Sequence, residues 1–155
     1  MKTRTIALTI VTCFVGLTLA FAAENPNMGT WKLNEAKSKF SPGAPKNTTV
    51  VYEAAGDSIK VTVDGVDGQG KPTHNDWTGK FDGKDYPLVG DPNANTRAYK
   101  KITDRKTELT NKKDGKVTTT GTIVISADGK SRTLTVHGTD PMGKKVTETA
   151  VYDKQ

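Results

Sequence analysis

Arg132 is the residue whose type and position ask most directly for chemistry. It opens the run RTLTVH, where alternation sets it on one face with Leu134 and Val136 and opposite to Thr133 and Thr135. A guanidinium on an apolar face needs a partner. Glu148, a carboxylate brought by a ligand, or water would each serve, and a position beside a turn also lets the side chain snorkel outward. The chemistry on offer is a charge-assisted hydrogen bond to an anionic group. Tyr152, on one face with Val146 and Ala150, adds a phenol donor. Arg97 and Tyr99, two residues apart, set an arginine and a tyrosine on one face of another strand, although Ala98 and Ile102 compete for the inner side there. Trp77 shares a face with Phe81, which suits core packing or stacking on a ligand.

Other chemistries find little support. His74 and His137 are the two histidines, and both sit on outward-reading faces, so neither zinc nor haem ligation is expected. The segment Asp91-Pro-Asn-Ala-Asn95 starts like a calcium loop but lacks its glycine and terminal glutamate, and it reads as a turn. No nucleophile elbow, phosphate loop or paired carboxylates occur, so no catalytic residue, metal or cofactor is assigned. Nucleic-acid binding calls for aromatics interleaved with a basic stripe, and Tyr99-Lys100-Lys101 falls short of that.

The elements that position these residues are clearest between Thr107 and His137. Three runs rich in Thr, Val, Ile and Leu are divided by Asp114-Gly115 and Asp128-Gly129. β-branched residues suit a pleated surface, and Asp-Gly supplies the positive φ of a hairpin turn. A two-residue turn at Asp128-Gly129 pairs Ile123 with Leu134 and Ile125 with Arg132, uniting the apolar faces. At the earlier turn, parity favours a three-residue loop, Lys113 to Gly115, with Gly115 as a bulge and Leu109 opposite Thr119.

The same pattern runs along the chain. Asn25 to Leu33 reads as a first strand, followed by a Pro- and Gly-broken stretch to Lys46 in which Phe40 is a plug for one end of the fold. A Gly56-Asp57 turn pairs Tyr52 with Val61 and Val50 with Val63. Asp64 to Pro72 reads as a long mobile loop. Strands follow over Thr73 to Phe81, up to Val89, over Thr96 to Thr103, through the meander, and over Val146 to Tyr152 after a turn at Asp140 to Lys144. Ten strands in successive hairpins, with no helical periodicity, predict an all-β, antiparallel up-and-down barrel of about eight to ten strands, because closure removes exposed sheet edges. Hydrophobic residues make up 34% of the sequence, and threonine occupies both strand faces, so a partly polar interior is expected.

The N-terminus has a charged Lys2 and Arg4, an apolar Ile6 to Leu19 and an Ala20-Phe21-Ala22 cleavage pattern. Residues 1–22 are therefore expected to be a signal peptide, and 23–155 a single domain exported to the periplasm or beyond. That domain has no cysteine, and losing Lys2 and Arg4 lowers the net charge from +6 to +4. Lysines scattered over strands and turns read as a solvated surface guarding strand edges.

The Gly29-Thr-Trp31-Lys-Leu33 opening resembles the Gly-x-Trp first strand of the calycins, the lipocalins and fatty-acid-binding proteins. In that group it closes the barrel base, which implies structural roles for Gly29 and Trp31. The ending Ala150-Val-Tyr152-Asp-Lys154 resembles the Arg-x-Tyr-Glu-Lys ending of fatty-acid-binding proteins, which holds a ligand carboxylate. Tyr152 matches and Ala150 stands where the arginine would be. The stretch between the first two strands is also too short for that group's helical lid. The GTWKLN…KSKF…PG opening is similar to that of small secreted bacterial proteins. The resemblance implies a lipocalin-like monomer holding a hydrophobic or amphipathic small molecule without catalysis, with Tyr152 at the site; the face assignments add Arg132, Trp77, Arg97 and Tyr99 as candidate ligand contacts. No nucleic acid and no membrane span after signal removal are expected. The alternatives are a filled barrel acting as a structural or surface-interaction protein and, third, an enzyme on such a barrel.

Overall fold

The structure, a computed structural model, describes residues 25–139 and 143–155. The expected signal peptide and most of the Asp140 to Lys144 turn lie outside the described residues. Ten strands make up the fold: β1 (Gly29–Leu33), β2 (Lys46–Ala55), β3 (Ser58–Val66), β4 (Pro72–Gly79), β5 (Tyr86–Val89), β6 (Thr96–Thr103), β7 (Lys106–Lys113), β8 (Lys116–Ile125), β9 (Ser131–Thr139) and β10 (Lys145–Lys154). Each pairs antiparallel with its neighbour in sequence, and β1 pairs with β10, so the sheet closes into an up-and-down barrel. Among the described residues, the helical content is a single 3-10 turn at Glu35–Lys37, capped by the Asn34 side chain. No helix among the described residues is long and apolar enough to cross a membrane.

Hydrophobic alternation sets the registers. Tyr52 pairs with Val61 and Val50 with Val63, while Ile123 pairs with Leu134 and Ile125 with Arg132, as the two turns predict. The Asp114-Gly115 hairpin differs from expectation. Its loop has two residues, both at positive φ (50° and 79°), with Lys113 opposite Lys116. The bulge lies further in, between the Asn111–Thr119 and Lys112–Val117 pairs, so Leu109 faces Gly121 rather than Thr119. The inward parity of Leu109 survives, because one extra residue anywhere in the strand restores the face.

The Asp64 to Pro72 stretch is also more regular than expected. The β3–β4 ladder continues to the Val66–Pro72 pair, and Asp67 closes the remaining turn by accepting the Gln69 and Lys71 amides, each at 2.9 Å. Gly65 inside this ladder has no room for a side chain, since a Cβ there would lie 2.3 Å from the Lys46 carbonyl oxygen. The β5 seams are the thinnest, with two residue pairs on each side, and Pro87 within that strand has no N–H to donate.

Burial divides the barrel lengthwise. At the floor, where β1 pairs with the end of β10, Trp31, Tyr52, Val61 and Tyr152 are at most 2% exposed. Phe40, in the β1–β2 connection, packs partly buried against the core with the Lys46 ammonium over its ring. That connection runs along β10, where Lys39 and Thr149 exchange backbone hydrogen bonds. Toward the loop end, Leu134, Val136, Val146 and Glu148 share the inner face with Arg132, Ala150 and Tyr152 and are only half-buried. The inner wall of β9 and β10 is therefore dry at the floor and reachable by water above it.

Candidate functional site

Arg132 points into the floor, 3% exposed, between its strand partners Ile125 and Tyr152. Three rings enclose the guanidinium, with centroids 4.7 Å (Tyr152), 5.0 Å (Tyr52) and 5.1 Å (Trp31) from its carbon. One terminal nitrogen donates to the Tyr52 hydroxyl at 2.8 Å, while the buried Nε has no partner among the described residues. Glu148 does not serve as the counter-ion; its carboxylate accepts the Ser41 amide at 3.1 Å. The aromatic rings stabilise the cation through their quadrupoles but return no charge. The side chain does not snorkel, because its strand position directs it at the centre of the barrel, below the half-buried wall.

Arg97 is the second inward arginine, 5% exposed. It lies on β6 between Tyr86 and Asn111, and its Nε donates to Asn111 Oδ1 at 2.8 Å. A terminal nitrogen reaches Asn75 Oδ1 at 3.5 Å, and the guanidinium carbon sits 5.8 Å from the Tyr99 ring centroid. Its backbone carbonyl accepts the Trp77 indole N–H at 2.8 Å. The competing parity at this strand is thus corrected. Arg97 and Tyr99 take the inside, and Ile102 is 41% exposed. The reason is packing, since the Tyr99 ring meets Trp77 at 4.8 Å and Phe81 at 4.9 Å while Asn75 and Asn111 each accept one hydrogen bond from the guanidinium.

Ring contacts connect the two arginines. Trp77 touches Tyr86, Phe81 and Tyr99, and Phe81 meets Tyr52 edge-on at 6.4 Å, beside the Arg132 cage. Burial pushes the Tyr152 hydroxyl up to about 12 and holds that of Tyr99 well above the ordinary range. Both phenols therefore remain neutral O–H donors at physiological pH. Among the described residues, no carboxylate comes within ion-pair distance, 4.0 Å, of either arginine. Two buried cations without an anion are costly to a fold and valuable to a site.

Every residue expected at the site thus lies inside the barrel, in two groups. Arg132, Trp31 and Tyr152 meet at the floor, and Arg97, Tyr99 and Trp77 meet on the opposite wall. Gly29, at φ 102°, turns the chain into β1 against the Lys154 side chain. Tyr52, Asn75 and Asn111 complete the site. Alternation already placed Tyr52 and Asn75 on inner faces, and the Leu109 parity implies the same for Asn111. Their partners, up to 80 residues away, leave no local signal.

Outside the barrel, His74 lies between Asp64 and Asp76, with ring nitrogens 2.7 and 2.9 Å from their carboxylates. These hydrogen bonds, that to Asp64 foremost, raise its pKa above the ordinary 6.5. Asp76 also accepts from Thr62 and faces Lys60. A raised folded-state pKa gives stability that is complete below pH 6.5 and lost as pH rises through the folded value. A proton NMR titration is expected to place the His74 midpoint above 6.5, and His74→Gln to remove that part of the pH dependence. A midpoint at or below 6.5 would show the clamp to be open in solution. Among the described residues, no group of three His, Cys, Asp or Glu side chains is arranged to hold a metal ion.

Two open grooves, about 330 and 230 Å3, lie over β7–β10 and share Thr120 and His137. Threonines line them and neither contains a buried charge, so the interior has the stronger chemistry for a site. No family model matches the chain, and no characterised protein is significantly similar to it.

Proposed function

We propose that the protein is an exported, non-enzymatic binding barrel for an amphipathic small molecule with an anionic or polar head. The observation that carries this reading is Arg132: a buried guanidinium with no carboxylate partner and an unpaired Nε, at the base of a partly solvated inner wall. The head would meet Arg132 and the Tyr152 hydroxyl. The apolar body would lie along Leu134, Val136 and Val146, displacing water from half-buried side chains. Export is supported by the charged, apolar and small-residue segments at the N-terminus.

A fluorescent fatty-acid probe titrated into wild type and Arg132→Ala tests the proposal. A charge-assisted hydrogen bond in a desolvated site contributes about 1.5–3 kcal/mol. The variant is therefore expected to bind roughly ten- to a hundredfold more weakly. Equal affinities would remove Arg132 from any ligand role.

A second reading is a filled barrel without a ligand, favoured by the continuous ring packing from Tyr86 through Trp77, Tyr99 and Phe81 to Tyr52. Failure of the probe and of native mass spectrometry on protein from its source to reveal any bound compound would leave that reading ahead.

A further inference from the structure

The proposed site uses one arginine, yet the interior contains two. We infer that the interior is built for a ligand with two negatively charged groups, one received by Arg132 at the floor and the other by Arg97 on the opposite wall. The inference rests on the binding-barrel reading and goes further by assigning the charge of the ligand. Arg97 is not a spare copy of Arg132, since two asparagine amides orient it beside a single ring, Tyr99, rather than a cage of three. Amides orient a guanidinium without neutralising it, and a carboxamide cannot ionise to become a counter-ion. Of its five N–H donors, two are directed at Asn111 and Asn75, leaving others for a second acceptor. The Tyr99 ring, its centroid 5.8 Å from the Arg97 guanidinium carbon, stacks on Phe81, and Phe81 meets Tyr52, the acceptor of Arg132, so the two cations stand at the ends of one short run of ring contacts. Glu148, the carboxylate on the inner face of β10, is held by the Ser41 amide and is not paired with either arginine.

The alternative is one anionic head touching both arginines, and a comparison of chain-matched acids separates the two. α,ω-Dicarboxylates of four to twelve carbons, and monocarboxylates of the same lengths, would be competed against the fluorescent probe at neutral pH. In an ordinary apolar pocket a second carboxylate lowers affinity, because it must be desolvated and replaces an apolar methyl. Here the best-fitting diacid is expected to bind at least about tenfold more tightly than its monoacid. Arg97→Gln is expected to abolish that advantage, and Arg132→Gln to weaken both series. Diacids no better than monoacids at every length would overturn the inference while sparing the binding reading, as would an equal loss of both series in Arg97→Gln. Absence of binding by either series to wild type would sink both. The wild-type comparison decides the matter even where the Arg97 variant fails to fold.

Discussion

Replacing Trp31 with alanine is expected to destabilise the protein by about 3–5 kcal/mol, measured by urea unfolding. The indole is fully buried, its N–H donates to the Asn27 carbonyl at 2.8 Å, and its ring faces both the Arg132 guanidinium and the Lys154 ammonium. It also sits at the closure of the barrel, where the five-residue β1 pairs Trp31 with Lys154 on one side and Val50 on the other. Losing the side chain therefore leaves a cavity, an unpaired carbonyl and a weakened seam at one point. Trp31→Phe keeps a ring but not the donor, so it should fall between wild type and alanine. A loss below about 1 kcal/mol in the alanine variant would mean that the floor repacks and that Trp31 does not organise it.

Arg132→Met is expected to act in the opposite direction, stabilising the fold by about 1–4 kcal/mol while lowering ligand affinity. Replacing buried ionic groups with apolar side chains of similar volume is often neutral or stabilising within that range, because desolvation costs exceed what the charges recover. Here the recovery is small, since the guanidinium has one phenol acceptor, three ring faces and an unpaired Nε. Such a gain is the usual mark of a residue retained for function at the expense of stability. Urea unfolding beside the probe titration would read both effects. A loss of more than about 1 kcal/mol would instead make Arg132 a structural post for the aromatic rings and favour the filled barrel.

Much of the architecture was legible because it depends on local rules. Strand alternation and two-residue turns were enough to pair Tyr52 with Val61 and Ile125 with Arg132, since period-two burial leaves one register that unites the apolar faces. The Asp114-Gly115 hairpin shows the limit of that rule. Parity required an extra residue but could not locate it, and the structure puts it beside Asn111 rather than in the turn. Gly-rich composition misled at Asp64 to Pro72, where the ladder extends to Val66 because Asp67 caps a compact turn and Gly65 lets β2 approach.

Strand order, the successive antiparallel pairings and the inner-face position of Arg132 are written in the sequence, because hairpins join neighbours and alternation needs only a few consecutive residues; that its side chain stays inside rather than snorkelling is decided by the fold. The tertiary structure alone decided that Arg97 and Tyr99 face inward against Ala98 and Ile102, that Tyr52 rather than Glu148 receives Arg132, and that Asn75 and Asn111 hold Arg97. Closing the sheet brings side chains from distant strands to one axis. Which of them meet depends on the shape and volume of all the inward residues together, and no stretch of sequence contains that sum.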